Sequence, residues 1–172
     1  MRAWTSRRGR AWLITGVLTM GLLTSGPATG AWARGDGWQP LPAGDYDATC
    51  GDTVVHVHVV LNQEYFREFN LPGDVVEWQV NGNLVLQYST DEGASVTVNA
   101  SGPGRLFFYP DGSLEVIASG LNSWTFSEQD AETLGVPQIS VSAGPMHLTI
   151  ASDGSVSGHM GTIIEDVCAE LT

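Results

Sequence analysis

From residue 53 onward, apolar and polar residues alternate over short runs, and glycine-bearing turns interrupt these runs about every ten residues. A two-residue period is typical of a strand with one buried face, and short turns join antiparallel neighbours. The pattern therefore predicts an all-β fold built as an antiparallel up-and-down meander. Since such a meander must cover its two sheet edges, we expect it to close into a barrel or a barrel-like sandwich.

The turn at 110–112 sets the register of its hairpin, because residues that face each other must lie on one side of the sheet. A three-residue loop pairs Phe108 with Leu114, so that apolar meets apolar. The same reasoning predicts five further hairpin loops, at 81–83, 91–93, 102–104, 120–122 and 152–154. The loop at 152–154 puts His147 opposite His159.

One segment interrupts the strands with a helical pattern. Ser127 can cap a short helix near 128–134, which Gly135 would end. The segment 64–70 is predicted as a strand because its neighbours are strands. The alternation then predicts an apolar interior made of Val76, Trp78, Val80, Leu84, Leu86, Tyr88, Val96, Val98, Leu106, Phe108, Leu114, Val116, Trp124, Phe126, Ile139, Val141, Leu148, Ile150 and Val156.

Residues 1–33 have the features of a secretory signal peptide. Four arginines precede the apolar run AWLITGVLTMGLL, and the residues AWA at 31–33 fit a small-x-small cleavage site. The apolar run is shorter than the roughly 20 residues that a membrane span needs. We therefore expect a secreted, extracellular protein with a flexible N-terminal segment at 34–46 and a single β domain at 47–172.

Cys50 and Cys168 are the two cysteines of the chain, and they flank its predicted folded part. An even number of cysteines in an oxidising compartment predicts a disulfide bond between them. This bond would bring the first and last strands together.

The predicted mature chain is strongly acidic. All nineteen acidic residues follow Ala33, where the chain has three arginines and no lysine, so the net charge there is about −16 with neutral histidines. A surface of this charge repels nucleic acid and anionic membranes. We expect neither as a partner once the signal peptide is removed.

The histidines are candidate metal ligands. Strand alternation in VVHVHVV puts Val55, Val57 and Val59 on the core face and turns His56 and His58 to the opposite face, close enough to share an ion. The pair His147 and His159 is within similar reach. If the disulfide brings the first strand near the last hairpin, all four histidines approach one outer patch. The alternative is four solvated histidines, with a final strand at 163–168 between the two pairs.

Catalytic motifs are missing from the sequence. The stretch GSVSG at 154–158 has valine where a nucleophile elbow needs serine, and there is no H-E-x-x-H, C-x-x-C or phosphate loop. Glu64 and Glu68 could form a carboxylate pair for glycoside chemistry, but exposed glutamates are more often simply solvated. We therefore assign no catalytic residue and no cofactor.

Two kinds of ligand remain open. The carboxylates of Asp45, Asp47 and Asp52 could bind calcium, although their spacing does not match an EF-hand loop. A hollow interior could hold a small apolar ligand, whereas a solid one would be filled by its own aromatic residues. The aromatic residues in question are Trp78, Tyr88, Phe108, Trp124 and Phe126.

Several stretches resemble those of small secreted actinobacterial β-rich proteins of unknown function. They are DATCG (47–51), LPGD (71–74), SGPG (101–104), YPDGS (109–113), LGVPQISVSAGPMHLTIASDGSVSGHMG (134–161) and DVCAEL (166–171). The resemblance implies a compact β domain behind a signal peptide and transfers no functional residue. We predict a non-enzymatic binding or interaction protein; the alternatives are an apolar-ligand barrel and a metal-binding protein or enzyme that uses the histidine patch.

Overall fold

The computed structural model describes residues 37–172, so the predicted signal peptide and its cleavage site lie outside the described residues. Two short helices are present, α1 (Glu128–Leu134) and α2 (Val167–Leu171). The strands are β1 (Gln39–Pro40), β2 (Tyr46–Cys50), β3 (Thr53–Asn62), β4 (Tyr65–Leu71), β5 (Val75–Asn81), β6 (Leu84–Ser89), β7 (Ser95–Asn99), β8 (Gly104–Phe108), β9 (Leu114–Ala118), β10 (Leu121–Thr125), β11 (Ile139–Ala143), β12 (Met146–Ile150), β13 (Val156–His159) and β14 (Thr162–Asp166).

The strands form three antiparallel sheets, which confirms the all-β prediction. Strands make up 56% of the described residues and helices 9%. The seven-stranded sheet has the order β1-β4-β5-β8-β9-β12-β13, the four-stranded sheet β2-β3-β6-β7 and the three-stranded sheet β10-β11-β14. No closed barrel is found in the described part of the chain.

Pairs of consecutive strands behave as halves of longer, bent strands. β3 and β4 pair with β6 and β5, and these in turn pair with β7 and β8. β9 and β10 pair with β12 and β11, which pair with β13 and β14. When each bent pair is counted as one strand, every ladder joins strands that are consecutive along the chain. At each bend the chain leaves the seven-stranded sheet for one of the two smaller sheets, or returns to it.

Three of the six predicted hairpin loops are confirmed. The loops at 91–93, 110–112 and 152–154 join paired strands, with Phe108 opposite Leu114 as expected. The predictions for 81–83, 102–104 and 120–122 are wrong, because each of these segments joins strands that lie in different sheets. The apolar alternation continues through a bend as it does across a turn, so facing residues alone do not distinguish the two.

Glycine has a different role in the bends than in the turns. A Cβ at Gly82 would overlap the backbone of Gln63, and a Cβ at Gly102 would overlap the carbonyl oxygen of Ser119. The two bends at 62–65 and 81–84 also exchange hydrogen bonds between Gln63 and Asn83. Glycine is therefore required here because two chain segments cross in contact.

The core divides into two clusters. The first lies between the four- and three-stranded sheets and includes the fully buried Val55, Tyr88 and Ile139, together with residues of α2. The second lies against the seven-stranded sheet and includes Met146 and Leu148, with Ala131 of α1 packed on them. Five predicted interior residues belong to neither cluster: Val76, Trp78, Val80, Phe108 and Ile150.

The predicted helix and disulfide are both confirmed. Ser127 accepts a hydrogen bond from the Asp130 backbone N–H, and Gly135 ends α1 in the left-handed conformation. Cys50 and Cys168 are bonded, with 5.4 Å between their Cα atoms. The predicted final strand at 163–168 is too long, because Asp166 caps α2 and turns residues 167 and 168 into helix.

The N-terminal part of the described chain also joins the sheet. Gln39 and Pro40 pair with Phe66 and Tyr65, so part of the segment expected to be flexible lies in a ladder. Within residues 37–172, neither helix has the length and apolar character of a membrane span.

Candidate functional site

A histidine–aspartate patch, formed by Asp45, Asp47, His56, His58 and Asp91, covers the outer face of the four-stranded sheet. The alternation of β3 buries Val55 and Val57, as predicted, and this turns both histidines outward. Residues 45–47 and 56–58 line a shallow surface depression of about 350 Å³.

His56 lies between two carboxylates. Its Nδ1 is 2.8 Å from Oδ1 of Asp47 and its Nε2 is 3.1 Å from Oδ1 of Asp91. Two carboxylate acceptors favour a ring that donates from both nitrogens, which is the charged imidazolium. Hydrogen bonds to Asp47 and then to Asp91 raise the pKa of His56 above its ordinary value of 6.5.

His58 has one carboxylate partner. Its Nδ1 is 2.7 Å from Oδ2 of Asp45, whose Oδ1 accepts the backbone N–H of Val59 at 2.8 Å. The Val59 hydrogen bond, followed by the one to His58, lowers the pKa of Asp45. Asp47 of β2 and the preceding Asp45 therefore fasten this segment to β3 with side-chain hydrogen bonds, beside the backbone ladder between β2 and β3.

The structure places the two histidine pairs in different sheets. His147 and His159 face each other across β12 and β13 in the seven-stranded sheet, whereas His56 and His58 lie in the four-stranded sheet. Across the described chain, no group of three or more His, Cys, Asp or Glu side chains has the geometry of a metal site. Metal binding at these histidines stays a prediction.

The structure gives the positions of the carboxylates that the sequence suggests for calcium binding and for glycoside chemistry. Asp45 and Asp47 bond the histidines, while Asp52 lies in the exposed turn between β2 and β3. Glu68 is exposed and accepts a hydrogen bond from the Trp78 indole N–H at 2.9 Å. Burial raises the pKa of Glu64 to about 7.

The aromatic residues weighed for an apolar pocket fall into three groups. Trp78 packs between Phe66 and Phe108, with ring centroids 4.5 and 5.0 Å away. Trp124 stacks with Phe126 in the second core cluster, at 6.2 Å. Tyr88 is fully buried in the first cluster, where its hydroxyl is 2.7 Å from that of Ser123. A shared apolar pocket for all five residues stays a prediction.

The outer face of the seven-stranded sheet, opposite its core cluster, has a distinct composition. Two cross-strand rows follow from the ladder registers. The arginine–histidine row is Arg67, Gln79, Arg105, Ile117, His147 and His159. The phenylalanine row is Phe69, Glu77, Phe107, Glu115, Thr149 and Ser157.

A hydrogen-bonded network links the two rows at their centre. Arg67 Nη2 donates to Gln79 Oε1 at 3.1 Å, Gln79 Nε2 donates to Glu77 Oε1 at 3.0 Å, and Arg105 Nε donates to the same oxygen at 2.7 Å. The Glu77 side chain is only 5% exposed. The Arg105 guanidinium, and next the Gln79 amide, keep the pKa of Glu77 below its ordinary value.

The guanidinium groups of the network also stack on aromatic rings. Arg67 lies 4.8 Å from the centroid of Phe69 and 5.3 Å from that of Trp38, and Arg105 lies 4.9 Å from that of Phe107. Such cation–π contacts hold the side chains against the sheet. Arg105 is nevertheless 52% exposed, and within the described residues only its Nε is hydrogen-bonded. Both of its Nη groups therefore remain as donors.

His147 extends this ordered surface toward the far edge of the sheet. Its Nε2 is 2.6 Å from Glu115 Oε1, and the Tyr109 hydroxyl donates to Glu115 Oε2 at 2.7 Å. The Tyr109 hydrogen bond, and next that of His147, lower the pKa of Glu115. Tyr109 and Ile117 are 37% and 40% exposed.

Sequence reasoning did not identify Arg67, Glu77, Gln79, Arg105 and Phe107 as a site. Alternation assigns each of them to the face opposite the core, but it does not show that β5 and β8 are neighbours, because a bend and a hairpin turn have the same alternation. The available signal is the small number of cations, because the sequence has three arginines after residue 33. Two of them, Arg67 and Arg105, lie on strands that pair with β5 and on the same face of the sheet as Glu77.

Comparison with protein-family models, with curated proteins and with solved structures finds no significant match for this chain.

Proposed function

We propose that this chain is an extracellular, non-enzymatic binding protein that engages its partner through the outer face of the seven-stranded sheet. The observation that carries the proposal is the composition of this face. Residues 37–172 contain two arginines and no lysine, and both arginines lie here beside Phe69 and Phe107. Arginine and aromatic residues are enriched where protein surfaces bind partners.

Preorganisation of these side chains supports the proposal. Glu77 is buried beneath the network and holds Arg105 by a charge-assisted hydrogen bond, while Phe107 supports the guanidinium from the side. A side chain that is ordered before binding loses less conformational entropy when a ligand arrives. The free Nη donors of Arg105 are therefore placed for recognition.

The architecture supports an extracellular role with a rigid scaffold. The four- and three-stranded sheets share one core cluster, which supports a barrel-like sandwich in this half of the molecule. The disulfide between Cys50 and Cys168 fits an oxidising compartment and agrees with the signal-peptide features of residues 1–33. Sites on rigid strands are held more precisely than sites on loops.

Binding to an array of extracellular polymers tests the proposal. The array carries polysaccharides, proteins and lipid vesicles, and the probes are the labelled wild type, Phe107→Ala and the control Gln87→Ala. Gln87 lies opposite His58 on the outer face of the four-stranded sheet. We expect at least one polymer class to retain the wild type and Gln87→Ala, but not Phe107→Ala. Identical retention of all three proteins, or loss with Gln87→Ala alone, contradicts the proposed face.

A further inference from the structure

The arginine–histidine row repeats side chains with nitrogen donors across the sheet. Arg67 and Arg105 lie on strands separated by β5, and Arg105 and His147 lie on strands separated by β9. Neighbouring strands are about 4.8 Å apart, so the groups recur about every 10 Å. Phe69 and Phe107 recur at the same interval in the adjacent row.

We infer that this face binds an acidic polysaccharide whose carboxylates are widely spaced, with about one charge per disaccharide. The inference rests on the proposed function and names the ligand of the same face. Guanidinium Nη groups match carboxylate oxygens in geometry and charge. Phe69 and Phe107 each have a guanidinium over one ring face, and their remaining exposed surface offers apolar contact to the C–H groups of sugar rings.

Charge density separates this ligand from other polyanions. Residues 37–172 carry eighteen acidic side chains against two arginines, so the molecule as a whole repels a dense polyanion such as DNA, with one charge per about 1.7 Å. At physiological ionic strength, charges more than about 8 Å away are largely screened. A sparsely charged chain that lies along the row therefore meets Arg67 and Arg105 directly, while Glu77 is buried beneath Arg105 and Glu115 is bonded by Tyr109 and His147.

The position of the row favours a polysaccharide over an acidic peptide. Peptides that bind sheets commonly add a strand and use backbone hydrogen bonds at an exposed edge. Gln79, Arg105 and Ile117 are paired on both sides, so their backbone groups are committed to ladders. A ligand on this face must bond to side chains, and a sugar chain supplies carboxylates and hydroxyls along its length.

Isothermal titration calorimetry with a hyaluronan octasaccharide tests the inference on the secreted protein. The comparison ligands are a neutral N-acetylglucosamine oligomer of similar length and a poly-glutamate peptide. The variants are Arg105→Gln, which keeps a donor for Glu77, Arg105→Lys, and the control Gln87→Ala. We expect hyaluronan to bind, Arg105→Gln to weaken it at least about tenfold, Arg105→Lys to weaken it less, and Gln87→Ala to leave it unchanged.

The outcomes separate this inference from the proposed function. Equal binding of the neutral oligomer, unchanged in Arg105→Gln, overturns the anionic ligand and leaves the proposed face standing if Phe107→Ala loses binding. Preferred binding of poly-glutamate overturns the polysaccharide. If hyaluronan does not bind while the polymer array depends on Phe107, the inference fails and the proposed function survives. Loss of hyaluronan binding in Gln87→Ala but not in Arg105→Gln overturns both.

Discussion

Reduction of the disulfide should remove a large share of the stability of this fold. The bond joins residues 118 positions apart, from β2 to α2. The chain-entropy relation for a closed loop of that length gives about 5 kcal/mol of stabilisation at 25 °C. A domain of this size has a free energy of unfolding of about 5–15 kcal/mol, so the bond supplies from a third to nearly all of it.

The reduced protein should still be measurable, because packing also holds the two ends. Val167 is fully buried and Leu171 is 7% exposed in the first core cluster, where Cys50 also lies. Guanidinium denaturation of the oxidised protein, the reduced protein and the Cys50→Ala/Cys168→Ala variant measures the effect. The reduced wild type keeps both sulfur atoms, so its difference from the variant isolates their packing.

We expect the oxidised protein to exceed the reduced protein by about 4–5 kcal/mol in free energy of unfolding. The reduced form should also show a larger dependence on denaturant, because its unfolded chain exposes more surface. A difference below about 1 kcal/mol would refute the reasoning, since it would mean that the unfolded chain gains little freedom when the bond is broken.

Three further predictions concern single residues. Carboxylate partners raise the pKa of His56 above 6.5, so its charged form stabilises the fold fully below that pH and the effect is lost as pH rises through the folded pKa. The melting temperature of the wild type should therefore exceed that of His56→Gln by more at about pH 5.5 than at about pH 9. The same difference at both pH values would refute a stabilising charged His56 between Asp47 and Asp91. Gly82→Ala should cost at least about 2 kcal/mol in urea denaturation because its Cβ would overlap the Gln63 backbone, whereas Gly93→Ala, which has open space, should cost about 1 kcal/mol. Equal costs would contradict the crossing of the two bends. Ser127→Ala should lower the free energy of unfolding by about 1 kcal/mol by removing the cap of α1, and Ser127→Asp should restore it.

Local chemistry in the sequence was enough to predict the elements that depend on it. The alternation in β3 predicted that Val55 and Val57 are buried, the capping residue Ser127 predicted α1, and the two cysteines predicted the disulfide. Each of these follows from neighbouring residues or from an even cysteine count. The all-β antiparallel class followed from the same periodicity.

The bends were not predicted because period-two alternation is the same on either side of them. Gly82 and Gly102 look like turn residues, but they are required by contacts with the backbones of Gln63 and Ser119. Such contacts depend on tertiary structure and leave no local signal. Without the bends, the sequence does not show which strands share the seven-stranded sheet.

The candidate site was missed for the same reason. Arg105 and Glu77 are 28 residues apart in the chain, and they meet only because β8 pairs with β5. The histidines stood out in the sequence because two of them occur in one strand. In the structure, His56 bonds Asp47 and His58 bonds Asp45. From the sequence, these two aspartates were candidates only for calcium binding.

Nuclear magnetic resonance titration of the isotope-labelled protein with the hyaluronan octasaccharide tests directly whether the outer face of the seven-stranded sheet binds this ligand. We predict shifts of the Nε–Hε signals of Arg67 and Arg105 and of backbone amides in β4, β5 and β8, while the amides of β3 stay unchanged. Shifts confined to the histidine–aspartate patch, or no shifts at millimolar ligand, would contradict this prediction.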